Sequence, residues 1–359
     1  MTVDACDGCL RRTALIAAVA GSLDVAWRER TGRAAVLALP DEALLALDTS
    51  AVPGYSGFNA ARARARIDAA GLHALCRCAG AFPPTLRELP DPPAVVHVAG
   101  RLSALRAGDG VAVVGARRAT SYGLEVARAL GRGLTAAGVP VVSGMALGID
   151  SAAHAGALEA APSRAAPVAV LAGSADVSYP ARMRRLHADL VEAGCVMSEM
   201  PPGFTAHRWC FPARNRIIAA LAAATVVVEA APRSGSLITA DLATDLGRTV
   251  GAVPGQVTSR FSAGTNDLLH AGAAVVRDAR DVLDLLFGAD APPVCEPDPV
   301  PDLAAPLRRL LEAVEQGRGT VAEVAGSVQE AEAALLGLSE LELRGLVRRE
   351  FGGRYVRCL

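Results

Sequence analysis

The residues best suited to chemistry in this chain sit in short turns between apolar runs. Gly115-Ala-Arg117-Arg118-Ala-Thr-Ser121-Tyr-Gly follows the run Val111–Val114. A glycine-bearing turn that opens a helix offers unpaired backbone N–H groups to an anion, and here two arginines and two hydroxyls share the turn. A second such segment, Ser143-Gly144-Met-Ala-Leu-Gly-Ile-Asp150, leads into a helix carrying His154. After Tyr179-Pro180, Arg182, Arg184 and Arg185 cluster on the first turn of a helix, a pattern that suits phosphate contact or a solvated basic face. Arg214-Asn215-Arg216 precedes an apolar run. Arginine is rarely buried unless paired, so these groups either hold a carboxylate inside the fold, with Glu199 and Glu229 as the obvious partners, or face an anion at the sheet edge. Ser234, Gly235, Ser236 and Thr239 make a further cradle of hydroxyls and N–H groups at a helix start. The shared chemistry of these turns is anion binding, phosphate above all.

Catalysis is harder to build. Asp150, Ser151 and His154 are spaced like a relay, but Asp150 suits an N-cap and Ser151 the first helical position. The dinucleotide fingerprint is absent from the turn at Gly115, which argues against a nicotinamide or flavin enzyme. The chain holds no lysine, so all 36 basic residues are arginine. That excludes P-loop, pyridoxal-phosphate and protein-kinase chemistry, each of which needs a lysine. Biased codon usage in a GC-rich genome is the simplest cause. No catalytic residue and no cofactor are expected. Of the eight cysteines, Cys6, Cys9, Cys76 and Cys78, with His73 nearby, invite a zinc test. A C-x-C pair is a poorer knuckle than C-x₂-C and the gap between the pairs is long, so free thiols and no metal are expected.

The elements that must position these turns follow from the apolar pattern. Runs at Val111–Val114, Val139–Val142, Val168–Leu171, Cys195–Ser198, Thr225–Glu229, Thr249–Val253 and Ala274–Val276 alternate with Ala/Leu-rich segments of helical spacing. This predicts an α/β fold with a parallel sheet covered on both faces, whose ligands bind at the carboxyl ends of its strands. Helices are predicted at Leu10–Val19, Leu23–Arg30, Asp41–Leu47 and Ala60–Ala70. Residues 100–280 carry 18 Arg against 13 acids, whereas 281–359 carry 8 against 14. A basic middle and an acidic tail therefore hide behind a net charge of −1, which hints at an anionic partner for the middle. The longest uncharged apolar run, Ile217–Val228, is short of the roughly 20 residues a membrane span needs. With no signal-peptide pattern at Met1, a cytoplasmic protein with reduced thiols and no membrane partner is expected.

Taken in order, the strings Val114-Gly-Ala-Arg117 with Tyr122-Gly123, Val142-Ser-Gly-Met-Ala-Leu-Gly-Ile-Asp-Ser-Ala-Ala-His154, Tyr179-Pro180, Ser198-Glu-Met-Pro201, Phe211-Pro-Ala-Arg-Asn-Arg-Ile-Ile218, Ser234-Gly-Ser-Leu-Ile-Thr-Ala240, Val253-Pro-Gly255 and Gly264-Thr-Asn266 resemble the DprA/Smf family of DNA-processing proteins. The resemblance implies an extended Rossmann-like core that binds single-stranded DNA in a basic pocket. It also implies a homodimer that protects the strand, overcomes single-strand-binding protein and delivers the strand to the recombinase RecA in natural transformation, without turnover of a substrate. The DNA-binding candidates are Gly115, Arg117, Arg118, Ser121, Ser143, Gly144, Arg182, Arg184, Arg214, Asn215, Arg216, Ser234, Gly235, Ser236 and Thr239. Leu147, Ala181 and Met183 depart from the family pattern, where basic residues or asparagine are frequent, and Arg182 and Arg184 can substitute as phosphate contacts.

The implied organisation is a helical N-terminal domain over 1–80, an extended linker over 81–100 and the Rossmann-like core over 101–288. A proline-rich linker over 289–302 then leads to a winged-helix-like domain over 303–359, with Phe351–Arg357 as its wing. Glu330 and Glu332 at the start of that domain's third helix would repel phosphates, which favours a protein contact or structural role over groove reading. The alternative function is that of a related Rossmann-like group acting on nucleoside monophosphates as phosphoribohydrolases. Its catalytic glutamate is missing here, where Asp241 follows the Ser234–Ala240 turn.

Overall fold

A computed structural model describes residues 3–29, 37–106, 110–160, 165–293, 303–325, 327–349 and 352–357. The chain divides into two compact units, Met1–Val294 and Cys295–Leu359.

The first unit is built on ten strands: β1 (Val3–Asp4), β2 (His73–Cys76), β3 (Val95–Gly100), β4 (Gly110–Val114), β5 (Val141–Ser143), β6 (Val168–Val170), β7 (Cys195–Ser198), β8 (Ala222–Val227), β9 (Thr249–Ala252) and β10 (Ala274–Val275). They form one sheet in the order β1-β2-β3-β7-β6-β5-β4-β8-β9-β10. From β7 to β10 every neighbouring pair is parallel, while β3 runs antiparallel to both β2 and β7. The chain starts this parallel block at β4, winds outward through β5, β6 and β7, then returns to lay β8 against the other side of β4. Between β4 and β8 the winding direction reverses, and at such a point the loops leaving neighbouring strands part to open a crevice.

Alternation along β4 shows why the sheet is covered twice. Val111 and Val113 enter a core with Val126, Leu130 and Leu134 of the helix Ser121–Ala136. Ala112 and Val114 enter the opposite core with Ile217, Ile218 and Leu221 of the next layer. On the first of these faces the helices Ser121–Ala136 and Ile149–Ala160 cross through two glycines. A Cβ on Gly131 would lie 2.1 Å from the Ala153 carbonyl oxygen, and one on Gly156 only 1.9 Å from that of Arg128, so no larger residue permits this approach.

Two expectations are corrected in this unit. Residues 81–100 are not an extended linker, because Val95–Gly100 is a buried interior strand of the sheet. The prolines that suggested a linker all precede this strand and do not interrupt it. Residues 1–80 are not a separate helical domain either. Their helices Asp7–Ala18, Ala20–Glu29, Asp41–Leu47 and Ala60–Ala69 are joined by β1 and β2, which extend the same sheet. The buried Trp209 indole donates to the Ala20 carbonyl at 2.9 Å and its backbone N–H to Asp24 at 3.1 Å, fixing these helices to the core.

In the second unit the helices Ala305–Glu315, Val321–Val324 and Val328–Leu343 enclose Leu307, Leu311, Val314, Leu338 and Leu341. Strands β11 (Val347–Arg349) and β12 (Tyr355–Arg357) pair antiparallel beside them. The hairpin therefore begins before the expected wing, and Phe351 lies outside the described residues, as do residues 294–302 of the proline-rich stretch. Among the described residues no helix is long and apolar enough to cross a membrane.

Candidate nucleic-acid interface

The reversal point between β4 and β8 holds a cleft of about 460 Å³. The turn after β4 brings Gly115, Arg117 and Arg118, the turn after β8 brings Arg233, Ser234, Gly235 and Ser236, and Arg214, Asn215, Thr239 and Arg260 complete it. Five arginines therefore face one lining acid, Asp150, and the cleft is strongly cationic.

Both turns are held from below. The backbone N–H of Ala116 donates to the Glu229 carbonyl at 2.7 Å. The Glu229 carboxylate, almost fully buried, accepts from the Thr120 backbone N–H at 2.8 Å and from the Thr120 hydroxyl at 2.5 Å. Thr120 in turn caps the helix Ser121–Ala136 through Gly123 N–H. Glu229 thus positions the arginine turn rather than pairing with an arginine. On the facing wall Ser234 caps the helix Gly235–Asp245, and its hydroxyl lies 2.8 Å from that of Ser236. Arg233, just before this cap, has φ of 65°, a conformation that costs a non-glycine residue of order 1–3 kcal/mol and is commonly stored at binding sites. Asn215 donates to the Gly235 carbonyl at 3.1 Å and so ties the helix Cys210–Ala220 to this wall.

Arg214 is buried beneath the cleft. One of its guanidinium nitrogens donates to the Val170 carbonyl at 2.9 Å, its Nε has no hydrogen-bond partner, and it makes no ion pair among the described residues. Burial pulls its pKa down to about 10, with Asp150 opposing that shift. Asp150 is itself pushed up by burial and accepts from the Gly144 N–H at 3.1 Å. The guanidinium lies over Gly144, where a Cβ would come within 1.5 Å of Nη1, so glycine is required there.

A second cavity of about 130 Å³ adjoins the first. Arg117, Ala146, Phe211 and Arg214 line both. Its other walls include Met145, Leu147, Leu171, Val177, Tyr179 and Pro180, so it is largely apolar. The Arg117 guanidinium lies 4.8 Å from the Phe211 ring centroid, and the Tyr179 and Phe211 rings are 6.1 Å apart. A cationic groove beside an aromatic slot is the arrangement that takes a polynucleotide backbone and a stacked base side by side.

The structure gathers Gly115, Arg117, Arg118, Arg214, Asn215, Ser234, Gly235, Ser236 and Thr239 in the cleft, and Gly144 lines the adjoining slot. The other five candidates lie elsewhere. Arg216 is buried in an ion-pair cluster, bidentate to Glu199 at 2.8 and 2.7 Å and 3.0 Å from Asp91. It holds the fold together inside, Glu199 being one of the partners read from sequence. Ser143 is fully buried and donates to the Val113 carbonyl at 2.6 Å. Arg182 and Arg184 are exposed beyond Tyr179-Pro180 and line neither cavity, and Ser121 is half-buried at the first position of its helix, outside the lining. Sequence reasoning overlooked Arg233, Arg260 and the aromatic side chains. Arg233 directly precedes the Ser234 turn, so its adjacency was a usable signal. Arg260 lies in a loop between two motifs and carried none.

The spacing that suggested a relay does not produce one. Ser151 donates to the Gly148 carbonyl at 2.9 Å, Asp150 serves Gly144, and neither ring nitrogen of the buried His154 has a hydrogen-bond partner. Burial lowers the pKa of His154 to about 4, so the ring is neutral.

Comparison with known proteins places these features. A family model described as DNA recombination-mediator protein A matches residues 73–287. A putative DNA processing protein DprA from Mycobacterium tuberculosis is 44% identical over 240 residues, covering 66% of this chain and 61% of that protein. The chain therefore matches less than two thirds of the length of that relative. Among solved structures, DNA processing protein A from Streptococcus pneumoniae superposes with a TM-score of 0.62 at 28% identity, covering 77% of this chain and 96% of the other. DNA processing protein A from Helicobacter pylori, described for its single-stranded DNA binding mode, gives 0.54 at 28% identity, covering 60% and 95%.

Proposed function

The chain belongs to the DNA recombination-mediator protein A family, and from that premise we propose that it binds single-stranded DNA without sequence preference through the arginine cleft between β4 and β8. The observation that carries this reading is the convergence of Arg117, Arg118, Arg214, Arg233 and Arg260 with a helix N-terminus on one rim, beside an aromatic slot. Arginines and turn amides take successive phosphates. Phosphate contacts position a strand without reading it, so every sequence is bound alike. The exposed ring of Tyr179, at the mouth of the slot it lines with Phe211, takes the face of a base, which a single strand can turn outward and a stacked duplex cannot without unpairing.

Protection of the strand, displacement of single-strand-binding protein and loading of RecA recombinase in natural transformation and recombination follow as the biological role. The protein acts in the cytoplasm as a homodimer, and a second cleft on the same strand raises avidity. It works as a binding protein rather than an enzyme. The C-terminal unit, with Glu330 and Glu332 on its third helix, serves protein contact rather than duplex reading. The test is a competition mobility-shift assay of labelled oligo-dT against unlabelled single strand and duplex of equal length. Single strand competes and duplex does not; equal competition overturns the reading.

A further inference from the structure

We propose that Cys6, Cys9, Cys76 and Cys78 form a structural zinc site that fastens the helix Asp7–Ala18 to the edge of the sheet. The four Sγ atoms all lie within 4.8 Å of one another, and those of Cys9 and Cys78 are 3.8 Å apart. Zinc held tetrahedrally with Zn–S bonds of about 2.3 Å sets its sulfurs about 3.8 Å apart, the separation of Cys9 and Cys78, and the remaining pairs need close by no more than about 1 Å to reach it. All four cysteines are free, Cys9 and Cys76 buried and Cys6 and Cys78 exposed. The long gap that favoured free thiols is closed by the fold. Strand β1 pairs with β2 in the register Val3 to Ala74 and Asp4 to Leu75, so the chain leaving β1 meets the chain leaving β2.

The backbone around the thiols is arranged for metal-bound sulfur. Cys6 is the N-cap of the helix Asp7–Ala18 and Cys9 lies in its first turn, where the helix dipole favours thiolates. The Cys6 N–H points at the Cys76 Sγ at 3.4 Å. A turn closed by the Ala79 N–H on the Cys76 carbonyl, at 2.8 Å, carries Cys78 back toward the cluster. Two guanidinium groups bind carbonyls beside the ligands: Arg64 donates to Ala5 at 2.8 Å and Arg87 to Arg77 at 3.1 Å. Arg64 is also paired with Asp7 at 2.6 Å, which leaves Arg87 to offset part of the negative charge of a four-thiolate zinc. His73 is outside the cluster, and no other group of this kind occurs among the described residues. On binding, each protonated thiol gives its proton to solvent and no electron is transferred. All four positions are protein ligands, which leaves no open site for catalysis and gives the metal a structural role.

The full chain is purified under reducing conditions from zinc-supplemented medium, desalted, and its metal measured by elemental mass spectrometry. About one zinc per chain is expected. The double variant Cys9→Ser, Cys78→Ser loses it, and Cys195→Ala, which alters a buried cysteine outside the cluster, retains it. Should the double variant not fold, the unaltered protein answers the question. A strong chelator lowers its melting temperature and added zinc restores it, while cobalt loading gives the intense sulfur-to-metal absorption of a tetrahedral thiolate site. A reduced protein that takes up neither metal, or a folded double variant that keeps its zinc, overturns the proposal. DNA binding is not a readout here, so this test stands apart from that of the cleft.

Discussion

Replacing Arg117 by alanine tests the cleft most directly. Arg117 is exposed, lines both cavities and stacks on Phe211 without an acidic partner among the described residues, so its loss leaves no buried charge behind. The cleft holds four exposed arginines, Arg117, Arg118, Arg233 and Arg260. Each phosphate neutralised on a single strand contributes about 0.7 to the slope of log affinity against log salt, so four give a slope of about −2.8. A fourfold rise in salt then weakens binding by roughly 50-fold in the parent, but by roughly 18-fold in Arg117→Ala, whose slope is about −2.1. The assay is fluorescence anisotropy of labelled oligo-dT at several salt concentrations, with circular dichroism to confirm the fold. Arg128→Ala, which removes a cation paired with Glu159 outside the cleft, serves as the control and leaves the slope unchanged. An identical slope in parent and Arg117→Ala, with the fold intact, refutes the assignment of Arg117 to the phosphate path.

Other outcomes follow from the same geometry. Tyr179→Ala should cost about 1–3 kcal/mol of oligonucleotide binding through lost stacking, and titration with an abasic oligonucleotide should show no such loss. Arg216→Leu leaves the carboxylates of Glu199 and Asp91 buried without a counter-charge, so urea denaturation should show about 3–5 kcal/mol of destabilisation. His97 and His154 are fully buried, and burial lowers both pKa values to about 4. Their depressed values make the neutral rings a source of stability above the unfolded pKa of about 6.5, which is lost as pH falls from there toward 4. By pH 5 the loss is about 2 kcal/mol for each histidine, to be seen as a falling denaturation midpoint between pH 7 and 5.

The strands around the site were legible because each is a short β-branched run bounded by turn residues. Cys195–Ser198 was read to the residue, and the other expected strands shifted by a residue or a few at their ends. Strand β3 was hidden because Pro92-Pro93 precedes it and suggested a linker. The turn chemistry at Arg117 and Ser234 was equally readable, since it depends on neighbours in the chain. What decides between Arg214 and Arg216 is not local. Both lie on the helix Cys210–Ala220 and both are buried, but only Arg216 meets Glu199 and Asp91, brought from two other segments. The four thiols pose the same difficulty, because their meeting depends on the register of β1 on β2, which no spacing in the sequence records.

The glycine crossing of the helices Ser121–Ala136 and Ile149–Ala160 has a mechanical corollary. With backbone seated on backbone, there is no intervening layer of side chains to yield. The loops that precede these helices are also bonded to each other, the Ile149 N–H to the Ala116 carbonyl at 3.2 Å. One side of the groove is therefore a single stiff plate that offers Arg117 at a set height. Adaptation to an incoming strand is left to the opposite wall, where Arg233 and Arg260 are exposed, and it is there that ordering on association is concentrated.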